Sequence, residues 1–339
     1  MGAGPRQRRV TRTALAVGLA AGLVLGGCSS GDGSGAGAST ASTTTTTTTS
    51  TSTTVPAAQG SAGCGTTPAV TGPAADPPGD VALTFDSGGT TRTYRLGIPE
   101  GYDPDVAAPL LLNLHGSGSD AIQQSTYSDL PARASIRGAI TVTPDAIDHQ
   151  WQLAPRGTDD DFLMALLDAV EAGYCVDLDH VAVLGISLGS WKASLVACEH
   201  PDRIAAAVLV AEEVWPRCPA MPVLMFHGTA DRIVPYGEGA DAGTVVTGPN
   251  RSLTGTRQNA ADWATGGGCD PEPVVAPLGT DVVRSTYGGC NPGVDVVLFT
   301  VQGGGHTWPG AAIEIGPTTQ TIDATALALD FVAAHPLRG

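Results

Sequence analysis

Positive charge is scarce in this sequence. It holds 17 Lys and Arg against 33 Asp and Glu in 339 residues, a formal net charge of −16. Arg6, Arg8, Arg9 and Arg12 lie in the first 28 residues, which contain no acid. The remainder carries 13 basic residues against the same 33 acids, a net charge of −20. Such a surface repels phosphate backbones and anionic headgroups, so the expected partners include no nucleic acid and no membrane bound through charge. Solubility outside the cell accounts for the acidity. Metal-ligand spacing is also missing: there is no Cys-x-x-Cys and no His-x-x-x-His, and no metal or other cofactor is expected. The apolar run over residues 14–25 is too short to span a bilayer comfortably. No internal repeat and no second folded domain is visible. No long apolar insertion separates Ser187 from Asp231, or Asp231 from His306, so no large lid is expected.

Apolar material is plentiful, at 42% of residues, enough for one large core. The N-terminus reads as a targeting segment: a basic stretch over residues 6–12, the short apolar run, then Leu25-Gly26-Gly27-Cys28. Small residues before a Cys resemble a bacterial lipobox. That resemblance implies lipidation of Cys28 after cleavage, with 1–28 as signal peptide and the protein on the outer face of the membrane. A conventional signal peptide, releasing the chain, is the alternative. Residues 29–63 are Gly, Ser, Ala and Thr with almost no large apolar side chain, which cannot offset the entropy of folding. They read as a disordered tether, with a reach of about 30–35 Å for some 35 residues. The folded domain is expected over 64–339.

Within that domain, strands alternate with helices. Residues 81–85 and 91–98 read as an antiparallel pair joined at Ser87-Gly88-Gly89. Strands follow over 110–114, 139–142, 181–184, 204–210, 222–226, 282–287 and 294–300. Helices are expected over 162–173, 191–200, 257–265 and 322–334, the first capped by Asp159, Asp160 and Asp161. This order predicts a mostly parallel sheet covered on both faces.

The most informative stretch is the strand over 181–184, then Gly185-Ile186-Ser187-Leu188-Gly189, then a helix. Strand, Gly-x-Ser-x-Gly and helix is the context of a nucleophile elbow. The turn is so tight that side chains at 185 and 189 would clash. The helix N-terminus points at the serine, where negative charge is stabilised. A serine nucleophile needs a base, and the base needs an orienting carboxylate. On sheets of this kind they follow in the order Ser, Asp or Glu, His, on loops after later strands. Asp231 and His306 satisfy both order and position; Glu212 and Asp241 are the other acids to test. The oxyanion donors expected are the N–H of Leu188 and, from the loop after the 110–114 strand, that of Ser117. His115 and Trp308 are candidate pocket residues. Trp151 and Trp191 are also candidates, although Trp191 reads better as core.

Setting Cys28 aside leaves six cysteines, Cys64, Cys175, Cys198, Cys218, Cys269 and Cys290, with 15 possible connectivities. Loop position favours Cys269–Cys290 and Cys198–Cys218, leaving Cys64–Cys175 to pin the N-terminal arm. Export favours disulfides over free thiols.

Four motifs carry a wider resemblance: Leu114-His115-Gly116, Gly-Ile-Ser187-Leu-Gly, His227-Gly-Thr-Ala-Asp231, and Gly-Gly-Gly-His306-Thr-Trp308-Pro-Gly. They are similar to those of the secreted polyhydroxybutyrate depolymerase and feruloyl esterase family, α/β-hydrolases of lipoprotein type. The likeness covers about residues 64–336 and is most specific at His306-Thr307-Trp308-Pro309-Gly310. It implies the α/β-hydrolase fold and a Ser187–Asp231–His306 triad. One departure is Ser190, where relatives often carry Gly; it is expected to narrow the space beside the nucleophile. The resulting expectation is an exported serine carboxylic ester hydrolase, monomeric, acting on an ester substrate that can be polymeric. A peptidase or amidase with the same triad is the nearest alternative. A catalytically idle binding protein on the same fold is a reading from another class.

Overall fold

The computed structural model describes residues 59–75, 77–212, 217–237 and 255–337. The signal segment, Cys28, nearly all of the tether and Asp241 lie outside them. Among the described residues the chain forms one ten-stranded sheet in the order β1-β2-β4-β3-β5-β6-β7-β10-β9-β8. The first strands are β1 (Val81–Ser87), β2 (Thr90–Gly97), β3 (Ala108–Leu114) and β4 (Ile140–Pro144). Then come β5 (Val176–Ile186), β6 (Ala206–Val210) and β7 (Val223–Gly228). Last are β8 (Val274–Leu278), β9 (Val282–Tyr287) and β10 (Val296–Val301). From β4 through β3, β5, β6 and β7 to β10 every pairing is parallel. β2 and β1 close one side antiparallel, and β9 and β8 the other. The α/β-hydrolase expectation holds.

Burial explains why the central strands are aliphatic without interruption. All five residues of β6, Ala-Ala-Val-Leu-Val, are buried. In β5, Val181 and Val183 belong to one core, while Ala182, Leu184 and Ile186 belong to the other. A strand covered on both faces must be apolar at every position. One core lies under α3 (Thr158–Gly173), α4 (Leu188–Glu199) and α5 (Thr256–Gly266). The other lies under α2 (Leu130–Ile136) and α6 (Ala324–Ala334).

The structure departs from the sequence reading in several places. Helix α1 (Ala121–Ser128) went unseen because its buried face is polar: Gln124 donates to Asn113 (2.9 Å) and Ser125 to Asp80 (2.6 Å). Strand β8 also went unseen; Pro277 and the exposed Val274 and Val275 mark an edge strand with little pattern. The aspartates expected to cap α3 do not. Gly157 is the N-cap, and Asp159 and Asp160 are buried inside the first turn. Asp159 accepts from Arg92 (3.0 Å), which also lies 3.9 Å from the centroid of the Phe162 ring. Asp160 accepts from His200 (2.9 Å) and faces the buried Lys192 at 3.8 Å. These carboxylates bind two helices and a strand together instead of ending one.

The folded body also starts upstream of Cys64. Gly60 bridges to Asp177, and Leu178 N–H donates to Gln59 O (3.0 Å). Ser61 is buried; it donates to Tyr174 O (2.7 Å) and accepts from Val176 N–H (3.0 Å). Three disulfides join Cys64 to Cys175, Cys198 to Cys218 and Cys269 to Cys290.

Candidate active site

The sheet order reverses between β3 and β5: the chain moves outward from β3 to β4, then returns to the other side of β3 with β5. In open parallel sheets the crevice beyond the carboxyl ends at such a switch point is where ligands sit. The chain leaves β3 into His115–Ser119 and leaves β5 into Ser187.

Ser187 adopts φ 57° and ψ −127°, a conformation costly for a side chain other than glycine. The surroundings enforce it. Ser187 N–H donates to Val210 O on β6 (2.9 Å), and α4 begins at the next residue. A Cβ at Gly189 would stand 2.3 Å from Leu114 O, and one at Gly185 2.3 Å from Gly189 O. The elbow is therefore closed to any residue but glycine at both places. The first N–H groups of α4, Leu188 among them, have no acceptor within the helix and lie beside the serine.

Asp231 and His306 come from neighbouring loops that are sewn together. Ala230 N–H donates to Gly304 O (2.8 Å), and Gly303 N–H to Thr229 Oγ1 (2.8 Å). His306 Nδ1 donates to Asp231 Oδ2 at 2.7 Å, a bond that in the neutral imidazole makes Nε2 the acceptor nitrogen. The other oxygen, Oδ1, accepts from Ile233 N–H (2.8 Å) and Val234 N–H (2.9 Å). Burial by itself would raise the Asp231 pKa. Hydrogen bonds and charge from His227 and His306 outweigh it and hold the carboxyl far below the usual carboxylate range.

Ser187, Leu188, Ser117 and His306 all line one cleft of about 1070 Å³. Gly116 backs directly onto Ser187: a Cβ there would lie 3.4 Å from Ser187 Cβ. The lining of the cleft includes the apolar side chains of Ile122, Ile233, Ile313 and Ile315. It also includes uncharged polar groups, Gln123 and Gln150 among them. No Asp, Glu, Lys or Arg lines it among the described residues.

Several expected pocket residues are elsewhere. His115 is fully buried and structural: Nδ1 donates to Gly116 O (2.7 Å) and Nε2 accepts from Ala146 N–H (3.0 Å). Burial lowers its pKa, in keeping with that neutral form. Trp308 is buried in the core, its indole N–H donating to Thr325 (2.9 Å). Trp151 is buried too, donating to His115 O (2.9 Å). Trp191 is 5% exposed and packed, yet it lines the cleft. Ser190 does not narrow the space beside the nucleophile; it is buried and its hydroxyl turns back to Ser187 O (2.7 Å). Glu212 is buried against Ser194 (2.6 Å) on α4. Sequence reasoning missed Gln150, Tyr127 and the isoleucines. They lie on loops or on α1, and no local pattern marks them.

No family model matches the chain. It is 32% identical over 282 residues to a protein of Nocardia uniformis subsp. tsuyamanensis named as an esterase, NocK. That alignment covers 72% of this chain and 80% of the relative. Feruloyl esterase B of Piromyces equi is 33% identical over 231 residues, 63% of this chain and 42% of that protein. Feruloyl esterase D of Neurospora crassa is 26% identical over 269 residues, 74% of this chain and 84% of that one. The chain belongs to the same esterase family as the Nocardia protein. Among solved structures, an acetyl xylan esterase from Aspergillus awamori shares the fold, with a TM-score of 0.53 at 14% identity. It matches 75% of this esterase and 99% of that chain.

Proposed function

We propose that this esterase is extracellular and hydrolyses uncharged esters of short acyl or hydroxycinnamoyl groups, including those borne on polymers, through an acyl-enzyme on Ser187. The observation that carries the reading is the 2.7 Å bond from His306 Nδ1 to Asp231, opening onto the same cleft as Ser187. In this reading His306 Nε2 takes the Ser187 proton as Oγ attacks the ester carbonyl. The oxyanion is held by the Leu188 N–H and by the loop at Ser117. The proton passes to the leaving alcohol. Water, deprotonated by the same imidazole, then releases the acid and restores the serine.

Three features support the substrate class. Among the described residues no Asp, Glu, Lys or Arg lines the cleft, which disfavours ionic acyl groups. Its volume lies just above the usual range of about 300–1,000 Å³, ample for an aromatic acyl group with part of its alcohol. Relatives are named for feruloyl esters. Hydroxyalkanoate oligomers rank second; the motif resemblance supports them, but no relative described above is named for them. Three disulfides support an extracellular site, and the lipobox at Cys28 supports a surface anchor with 29–63 as spacer.

Turnover of p-nitrophenyl butyrate, methyl ferulate, a hydroxybutyrate trimer and a long-chain triglyceride tests this. Ser187→Ala should fold normally and lose several orders of magnitude on the first two, about 10⁶ where such losses have been dissected. Preference for the triglyceride would overturn the substrate reading, and normal turnover by Ser187→Ala the mechanism.

A further inference from the structure

The loop beyond β3 is gripped along its length by one short segment, residues 146–151. Ala146 N–H donates to His115 Nε2 (3.0 Å) and Trp151 Nε1–H to His115 O (2.9 Å). Gly118 N–H donates to His149 O (2.9 Å), and His149 Nδ1–H to Ser119 O (2.8 Å). Gln150 Nε2–H donates to Ser117 Oγ (2.6 Å). To make these bonds the segment holds two successive residues with left-handed backbone, Asp148 at φ 51° and His149 at φ 56°. Neither is glycine, so the turn is strained, and strain of this kind persists only where surrounding contacts over-determine it. Asp159 fastens the segment's far end by accepting from Gln152 N–H (2.7 Å).

The bond to Ser117 has a chemical consequence. A hydroxyl has one proton to give and two lone pairs to receive. Gln150 occupies a lone pair, so the Ser117 proton turns elsewhere; Ser117 lines the same cleft as Ser187 and follows Gly116, which packs against Ser187. We propose that the Ser117 hydroxyl is a side-chain donor to the oxyanion of the reacting ester, and that Gln150 is the positioning residue that aims it. The inference rests on the esterase reading above. It adds to the backbone donors a third one, whose direction is set by an amide on a separate loop. Only the transition state has full charge on that oxygen, so the donor acts on kcat more than on KM.

The test uses the full chain with methyl ferulate and p-nitrophenyl butyrate. Ser117→Ala and Gln150→Ala should each lower kcat about 10²-fold, the lower end of what one oxyanion donor contributes, with little change in KM. The double variant should be no slower than either single one, because the two side chains act as one unit. Gln150→Glu separates aiming from mere support. A carboxylate retains a hydrogen bond with Ser117 but must accept it, which draws the proton out of the cleft. Gln150→Glu should therefore be as slow as Gln150→Ala, with an unchanged melting temperature. A wild-type kcat for Gln150→Glu, or independent losses that multiply in the double variant, would overturn the assignment and leave the triad intact. Ester turnover that survives Ser187→Ala would instead overturn the esterase reading beneath it.

Discussion

Two imidazoles face one carboxylate at Asp231. His306 donates to Oδ2 at 2.7 Å, and His227 Nε2 lies 3.5 Å from the same oxygen while giving its proton to Val234 O at 2.7 Å. Thr256 Oγ1 lies 2.7 Å from His227 Nδ1, the ring's acceptor position. Asp231→Asn would preserve the shape of this site but place an amide donor opposite His306, favouring the wrong tautomer. Its kcat on methyl ferulate should fall by about 10⁴ while circular dichroism stays unchanged. The same residue sets a pH dependence. Its folded pKa is depressed, so its contribution to stability is complete above its unfolded value, near pH 4. That contribution is lost as pH falls from there toward the folded value. Denaturant melts over pH 2–6 should show wild-type stability falling more steeply below about pH 4 than that of Asp231→Asn.

The elbow and the first turn of α3 show how elements are held. At Gly189 an added methyl would meet the carbonyl of Leu114, whereas at Gly173, the last residue of α3, it would meet nothing within 4 Å. Gly189→Ala should cost about 1–3 kcal/mol or more and disable the nucleophile, since backbone must shift. Gly173→Ala should be neutral or stabilise by up to about 1 kcal/mol. Chemical denaturation of both variants checks the contrast. In α3, removing the charge of Asp159 would strand the buried Arg92 guanidinium. Asp159→Asn should therefore lose about 3–5 kcal/mol. It also weakens the anchor of Gln152, next to the segment that grips the 115–119 loop.

Across the whole molecule the three disulfides close loops of very different size. Cys64–Cys175 spans 111 residues, against 20 for Cys198–Cys218 and 21 for Cys269–Cys290. Entropy of the unfolded chain makes the long closure the most stabilising, at about 4–5 kcal/mol against about 3 for the short ones. Replacing Cys64 and Cys175 by Ser should lower the melting temperature more than replacing either other pair. Alkylation and mass spectrometry of the unreduced protein should find no free thiol among the six.

Much of this protein was legible in one dimension because its determinants are local. Gly185, Ser187 and Gly189 are spaced by the geometry of a single turn. The apolar runs in β3, β5, β6 and β7 announce burial on both faces, and Asp231 and His306 follow strands that are themselves easy to see. Even the cysteine pairs followed from loop position. The wall of the cleft was not legible, because proximity there is made by the sheet and not by the sequence. Ser117 and Gln150 meet at 2.6 Å across 33 residues, and Tyr127 accepts from Trp308 N–H (2.9 Å) across 181. The same holds for the reversals: Trp308 and His115 sit in motifs that include or adjoin active-site residues, yet both side chains point into the body and carry its packing. A motif specifies backbone path and residue type. Which way each side chain turns, and what it meets, depends on strands that neighbour one another only after the fold has closed.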